Sequence, residues 1–493
     1  MRDSRLLPVM AAAALLSATM PNMAAAAVDP TTAELLREVK RLSQRLEELE
    51  RAKAAQAPVE ERVKKLETDK ASLDKAMGQE TISENEPEIA ARLKAVETEA
   101  LSYKKGSKVI DVLGGIKIGA GLTTVGQNMV GQQADKEGQL NWRGDVTMTI
   151  PAGNVGNSKG TIYTHLRMGQ GRGLQAIRNS YSSPNATAFQ RPGADNSDAA
   201  IDLAQAWYQL DMPIGDNPKT AKSHMEITVG KMDPFGFFDQ NLVAGDETRG
   251  FMNQALVHNP LLDAGGDMGV DSLGFTPGLR VAYVNETDKP LTWKLSAGMY
   301  ETGNGAAFQN SADFPFRIVQ AETTQRFFGG LEGNYRVYGW HNGRATNFDG
   351  KRAAHTGIGL SLDQKVDDYV TLFTRYGYQV KGNPRFDQSL TFGGEVGGSY
   401  WGRGTDGLGL AMGVSHTSKA FRKKSDQVDL DRDETPDYGY KALAFEQLME
   451  VYYRYRVMPR FDVTPDFQII RHPGGDPSTA VGYALGMRGQ LTY

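Results

Sequence analysis

Residues 450–457 read EVYYRYRV. Successive side chains of a strand point to opposite faces, so Val451, Tyr453, Tyr455 and Val457 share one face and Glu450, Tyr452, Arg454 and Arg456 the other. The first face is apolar; the second carries charge. Residues 331–340, LEGNYRVYGW, repeat the pattern, with Leu331, Gly333, Tyr335 and Val337 set against Glu332, Asn334, Arg336, Tyr338 and Trp340. In the last stretch Val481, Tyr483, Leu485, Met487, Leu491 and Tyr493 oppose Arg488 and Gln490. Such strands fit a wall with lipid on one side and a wet lumen on the other. A soluble sandwich also alternates, with solvent on its polar face, and the pattern alone does not separate the two. An export signal, the size of the region and the lack of a domain boundary within it favour one large barrel. The final strand also closes on aromatic Tyr493, a common ending in outer-membrane proteins.

Working outward, alternating runs separated by Gly, Asn, Asp and Pro clusters extend from about Val109 to Tyr493. Bacterial barrels have even strand numbers, and a channel opens at about 16. The expected fold is an all-β transmembrane barrel of about 16 antiparallel strands across residues 106–493. Polar insertions near 169–198, 233–276, 301–324 and 417–441 read as long external or infolded loops, alternating with tight periplasmic turns.

Composition agrees. The 493 residues carry 55 Lys and Arg against 59 Asp and Glu, so the net charge is 55 − 59 = −4. That balance argues against a general nucleic-acid binder. Cysteine is absent, which excludes disulfides, thiolate metal sites and a lipid-modified cysteine. No apolar run reaches the ~20 residues a membrane helix needs. Residues 1–27 read as a signal peptide: Arg2 and Arg5, an apolar stretch from Leu6 to Ala18, then Ala24 to Ala27 before a cleavage point at Val28. Export of a cysteine-free chain fits the periplasm or outer membrane of a Gram-negative bacterium, and the barrel pattern makes the outer membrane the expectation.

Residues 28–105 have a different period. Leu35, Val39, Leu42, Leu46 and Leu49 form a heptad seam. After Pro58 it resumes at Val59, Val63, Leu66, Lys70, Leu73 and Met77. Ile89, Leu93, Val96 and Ala100 form a third piece. A leucine stripe on a polar helix needs a partner. The expectation is a periplasmic α-helical coiled-coil segment that makes the chain a homo-oligomer, with a trimer as a guess. A helix pair folded back on the barrel or on itself is the alternative.

Five blocks carry a specific resemblance. Residues 229–262 read VGKMDPFGFFDQNLVAGDETRGFMNQALVHNPLL and residues 333–341 GNYRVYGWH. Residues 357–377 read GIGLSLDQKVDDYVTLFTRYG; EVYYRYR and VTPDFQIIRHPGG follow at 450–456 and 463–475. In this order the blocks resemble the carbohydrate-selective porin family of the OprB type. That resemblance implies a sixteen-stranded outer-membrane barrel passing sugars by diffusion. It also marks Asp239, Asn241, Asp246 and Phe251 as family-like positions. The helical segment departs from the simplest members; cyanobacterial relatives carry a different module there that holds the cell wall.

A sugar channel needs a lining that replaces hydration without trapping the solute. Charged groups bond hydroxyls, and aromatic rings stack on the apolar face of a pyranose. Arg336, Tyr338 and Trp340 share one lumen face, and Arg375 lies lumenward on the next long strand but one. Asp239, Gln240 and Asn241, with Asp246, Glu247, Thr248 and Arg249, form a polar segment long enough to fold inward as a constriction loop. The plainer reading is that Asp239 and Asn241 cap turns and that 246–249 opens a short helix. For Arg336 and Trp340 it is an aromatic girdle or a lumen ion pair with Glu332.

Enzyme readings are weak. His165, His224, His258, His341, His355, His416 and His472 make no H-E-x-x-H pair. No G-x-S-x-G or G-x-x-x-x-G-K-[ST] occurs. Residues 169–173, GQGRG, lack the following helix of a phosphate loop. Residues 429–434, DLDRDE, lack the glycine of an EF-hand and read as a solvated external loop. No cofactor or metal is expected. The sequence thus points to an outer-membrane diffusion channel for small hydrophilic solutes, above all carbohydrates. Its neighbours would be outer-membrane lipid and lipopolysaccharide, and peptidoglycan below. The alternatives are a porin for small anions or organic acids, and a barrel-anchored cell-wall tether.

Overall fold

A computed structural model of the chain describes Arg41 and residues 115–493, apart from 132–137, 175–179, 181–182, 191–197, 216, 219, 264–266 and 310–312. The expected signal peptide (1–27) and nearly all of the expected coiled coil (28–105) lie outside the described residues. The chain divides into two units, Met1–Glu67 and Thr68–Tyr493, and the barrel belongs to the second. Among the described residues no helix is long and apolar enough to cross a membrane.

Among the described residues sixteen strands follow one another. They are β1 (Lys117–Val130), β2 (Gly138–Val155), β3 (Ser158–Gln170), β4 (Ala200–Ile214), β5 (Ser223–Met232), β6 (Thr276–Asp288), β7 (Leu291–Tyr300) and β8 (Phe316–Phe327). Then come β9 (Leu331–Thr346), β10 (Arg352–Asp367), β11 (Val370–Lys381), β12 (Phe386–Gly397), β13 (Gly407–Thr417), β14 (Glu446–Met458), β15 (Phe461–Arg471) and β16 (Gly482–Thr492). Each pairs with its chain neighbours, and β1 closes the ring antiparallel to β16, with Gly121 opposite Thr492 and Val130 opposite Tyr483. Among the described residues of the barrel unit two short helices, α1 (Gln254–Val257) and α2 (Lys419–Lys424), lie in loops.

Alternation sorts the wall as the sequence pattern predicts. Val337 and Leu485 point outward at 62% and 55% exposure, whereas Arg488 and Glu450 point inward at 1% and 0%. A closed ring leaves no backbone edge unpaired, which is the condition for β-structure in lipid. The two-residue connections at 156–157, 289–290 and 459–460 share one end of the barrel with Tyr493. In outer-membrane barrels short turns face the periplasm. The long connections 171–199, 233–275 and 418–445 leave from the other end.

One boundary differs from expectation. The insertion expected to run from 301 to 324 ends where β8 begins, at Phe316. Gln320, Glu322 and Thr324 of β8 sit opposite the lumen-facing Tyr338, Arg336 and Asn334 of β9, so a lumen-facing strand imitates a polar loop.

The apolar core lies inside the barrel. Phe235, Phe238, Leu261, Leu262 and Met268 of the 233–275 loop pack on inward-facing Tyr300, Phe316, Ile318, Tyr338, Trp340 and Phe386. Val243, Phe251 and Leu256 pack on Phe373, Leu448, Tyr452 and Ile470. Two glycines of β10 make room for the first cluster: a Cβ on Gly357 would overlap the Trp340 ring, and one on Gly359 the Tyr338 ring.

Candidate functional site

The 233–275 loop enters the lumen through a capped turn. Asp233 Oδ1 accepts from Phe235 N (2.9 Å) and starts the 3-10 turn Pro234–Gly236. The chain then reverses at Asp239, which holds the left-handed φ of 55° and is fully buried. Its carboxylate accepts from Asn259 N (2.6 Å), Tyr338 Oη (2.8 Å) and Arg375 Nε (3.1 Å). One side chain therefore ties two ends of the loop to β9 and β11. Asn241 caps the next turn: its Oδ1 accepts from Val243 N and Ala244 N, both at 3.1 Å, and its Nδ2 donates to Ser361 Oγ (3.2 Å) on β10.

The far half of the loop is clamped by the opposite wall. Glu450 of β14 accepts from Met252 N (2.6 Å) and Asn253 N (2.9 Å). Arg488 of β16 donates to the carbonyls of Glu247, Gly250 and Arg249, at 2.8, 2.9 and 2.8 Å. Buried backbone groups need partners, and here lumen side chains replace the missing secondary structure. Residues 183–186 lie alongside, with Ala186 N donating to Met252 O (2.8 Å) and Ser183 O accepting from Gln254 N (2.9 Å).

The sequence-expected residues fall into two groups. Arg336, Tyr338, Trp340, Arg375, Asp239 and Asn241 are all buried at the loop–wall junction. Arg336 bonds Asp363 (2.7 Å) and lies 3.7 Å from Glu322. The Glu332 suggested as its partner instead pairs with Arg326 (2.7 Å). Trp340 Nε1 donates to Asp267 Oδ2 (2.8 Å) near the end of the loop. Asp246, Glu247 and Arg249 form a separate exposed to half-buried tip. Asp246 accepts from Thr248 N (2.9 Å), which shapes a turn at 247–249 where a short helix was the alternative.

Beside the tip runs a strip that sequence reading passed over. Glu247 bonds Arg143 (2.7 Å), Arg143 bonds Asp145 (2.8 Å), and Asp145 meets both Arg167 (2.8 Å) and His165 (2.7 Å). From His165 the chain passes through Gln205 (3.3 Å) to the indole N–H of Trp207 (3.3 Å). Trp207 stacks on Tyr163, its cross-strand neighbour, at 4.8 Å between ring centres and 21° between planes. Phe237 meets Trp207 edge-on at 5.7 Å, and the Arg280 guanidinium lies 4.8 Å over Phe237. Arg280 in turn bonds Glu226 (2.8 Å). Tyr163, Trp207 and Phe237 stay half-buried. The signal was present: Asn141, Arg143 and Asp145 alternate on β2 as Arg336 and Tyr338 do on β9. Among the described residues the groups that could hold a cation are Asp429, Asp431 and Asp433, an exposed external cluster away from this strip.

Comparisons with known proteins agree with this architecture. Residues 152–493 match the family described as carbohydrate-selective porin, OprB family. The high-pH structure of Pseudomonas putida OprB is similar in fold, with a TM-score of 0.61 at 16% identity, covering 79% of this chain and 97% of that one. The low-pH structure of the same protein aligns with a TM-score of 0.45 at 12% identity, over 80% of this chain and 97% of that one. No curated protein matches the chain. With the family matched across most of a closed sixteen-stranded barrel, the chain belongs to the OprB family of carbohydrate-selective porins.

Proposed function

We propose that this outer-membrane carbohydrate channel selects its solutes between the tip of the infolded loop, at Asp246, Glu247 and Arg249, and the strip from Arg143 to Trp207. The observation that carries the reading is the combination on that strip of charge-assisted donors and acceptors with a half-buried Tyr163–Trp207 stack. Ionised groups make the stronger hydrogen bonds, and here they are already paired, so a sugar hydroxyl exchanges with them and leaves again. Aromatic faces offer an apolar surface to the ring carbons without holding a charge. Arg336, Tyr338, Trp340 and Arg375 would then act on the solute by fixing the loop.

Liposome swelling with the purified full chain tests this. Monosaccharides should enter faster than zwitterionic solutes of similar size. Equal rates for both would remove carbohydrate selectivity.

A second reading, preference for small anions or organic acids, draws support from Arg249, which is exposed at the loop tip. Residues 28–105 we assign to the periplasm, as an oligomerising or cell-wall-holding segment. The reading is supported by β1 starting at the end that bears the short turns, where Ala120 N and O bond the backbone of Tyr493. Cross-linking of intact cells, with and without those residues, checks whether the oligomer and any peptidoglycan contact depend on them.

A further inference from the structure

At the external mouth, away from the infolded tip, lies a cavity of about 490 Å3 between the 347–351 and 382–385 connections and α2. That volume falls in the range of small-molecule sites. Lys419, Lys423 and Lys424 of α2 all line it. None of the three has an ion-pair partner among the described residues. Like charges this close on one short helix repel each other.

The helix is nevertheless held firmly. Ser418 Oγ accepts from Phe421 N (3.2 Å) and donates to Pro384 O (2.7 Å). Phe421 is fully buried and meets Phe348 edge-on at 5.4 Å.

The two carboxylates in the lining do not neutralise these lysines. Asp349 pairs with Lys351 (3.1 Å) and Asp387 with His416 (2.5 Å). Burial pushes the Asp349 carboxyl up, and its bonds to Lys351 more than reverse that and hold it below the usual range. It therefore stays ionised beside its own cation.

The lining also holds an unfilled acceptor. Gln379 is only 7% exposed and lines the cavity. Its Nε2 donates to Asp267 Oδ2 (2.9 Å) and Lys381 O (3.0 Å), and its Oε1 has no partner. A buried acceptor left without a donor is destabilising, and a ligand hydroxyl removes that cost.

We infer that this cavity captures a monosaccharide-sized anion bearing hydroxyls, a sugar acid or sugar phosphate, before it reaches the constriction. The lysines take the anionic group and Gln379 Oε1 accepts from a hydroxyl. Gln379 also bonds Asp267, to which Trp340 and His355 are hydrogen-bonded, so the site adjoins the anchored end of the loop. The inference adds a charge class to the carbohydrate reading and does not depend on the loop tip.

The test uses the purified full chain and calorimetric titration with gluconate and glucose 6-phosphate, against glucose and propionate. Both sugar anions should bind saturably, and more tightly than either comparator. The triple variant K419Q/K423Q/K424Q should weaken them about tenfold, and the triple Lys→Arg variant should keep them within about twofold. Liposome swelling with glucose, which reads the channel separately, should be the same in all three proteins. Equal binding of glucose and gluconate, or an unchanged Gln variant, overturns the inference. So does saturable binding of lipopolysaccharide with no binding of the free sugar anions, because the headgroup would then be the ligand.

Discussion

Strands β9 and β4 face the same lumen with similar alternations of polar and aromatic residues, and their side chains meet different fates. On β9 the infolded loop covers Arg336, Tyr338 and Trp340, and each hydrogen bond they make ends on the loop or on a neighbouring strand. On β4, Gln205 and Trp207 stay half-buried and end a chain of polar contacts that begins at the loop tip. One wall anchors the infolded loop; the other, on the function proposed above, is left to meet the solute. Inward orientation alone therefore does not make a residue pore-lining. What decides is whether a loop lies on top of it.

The contrast can be broken on the anchoring side first. Asp239→Ala leaves Arg375 buried without its carboxylate, a change that costs about 3–5 kcal/mol in such pairs. The barrel should still assemble, judged by heat-modifiable mobility, while single-channel conductance rises and sugar selectivity falls. A variant with unchanged conductance would mean that the loop is held elsewhere.

Asn241→Ala removes a cap and a bond to β10, and should loosen the same loop by about 1–3 kcal/mol. Open-channel noise in planar bilayers reads it.

On the open wall, Trp207→Ala should leave the loop in place. Glucose block of the ion current should weaken about tenfold, or roughly 1.4 kcal/mol. Conductance without sugar should hold or rise slightly.

The smallest effect is expected from Arg249→Ala. An exposed charge is screened by salt, so anion preference should shift by less than about 1 kcal/mol and fade at high ionic strength. Reversal potentials in a salt gradient measure it.

The barrel was legible because lipid and water impose opposite demands on alternate residues. Val337 and Arg336, or Leu485 and Arg488, state their sides by chemistry alone. The infolded loop was legible from its polar segment between strands, and Asn241 does cap a turn as the plainer reading held. Two things were not legible. Glu322 and Gln320 look like loop residues because a wet lumen tolerates what a loop tolerates. The sequence also offers no sign that Tyr338 is fully buried under the loop while Trp207, touched by the loop only edge-on at Phe237, stays half-buried, since both are inward aromatics on alternating strands. Only the path of residues 233–275 separates them.

The most direct measurement is single-channel recording of the purified chain with glucose added stepwise, comparing Trp207→Ala with Trp340→Phe. Division of the lumen into an anchoring wall and a solute-facing wall predicts weak glucose block in the first variant with its conductance intact. It predicts altered conductance in the second, through the lost bond to Asp267. Glucose block unchanged by Trp207→Ala but abolished by Trp340→Phe at wild-type conductance would contradict that division.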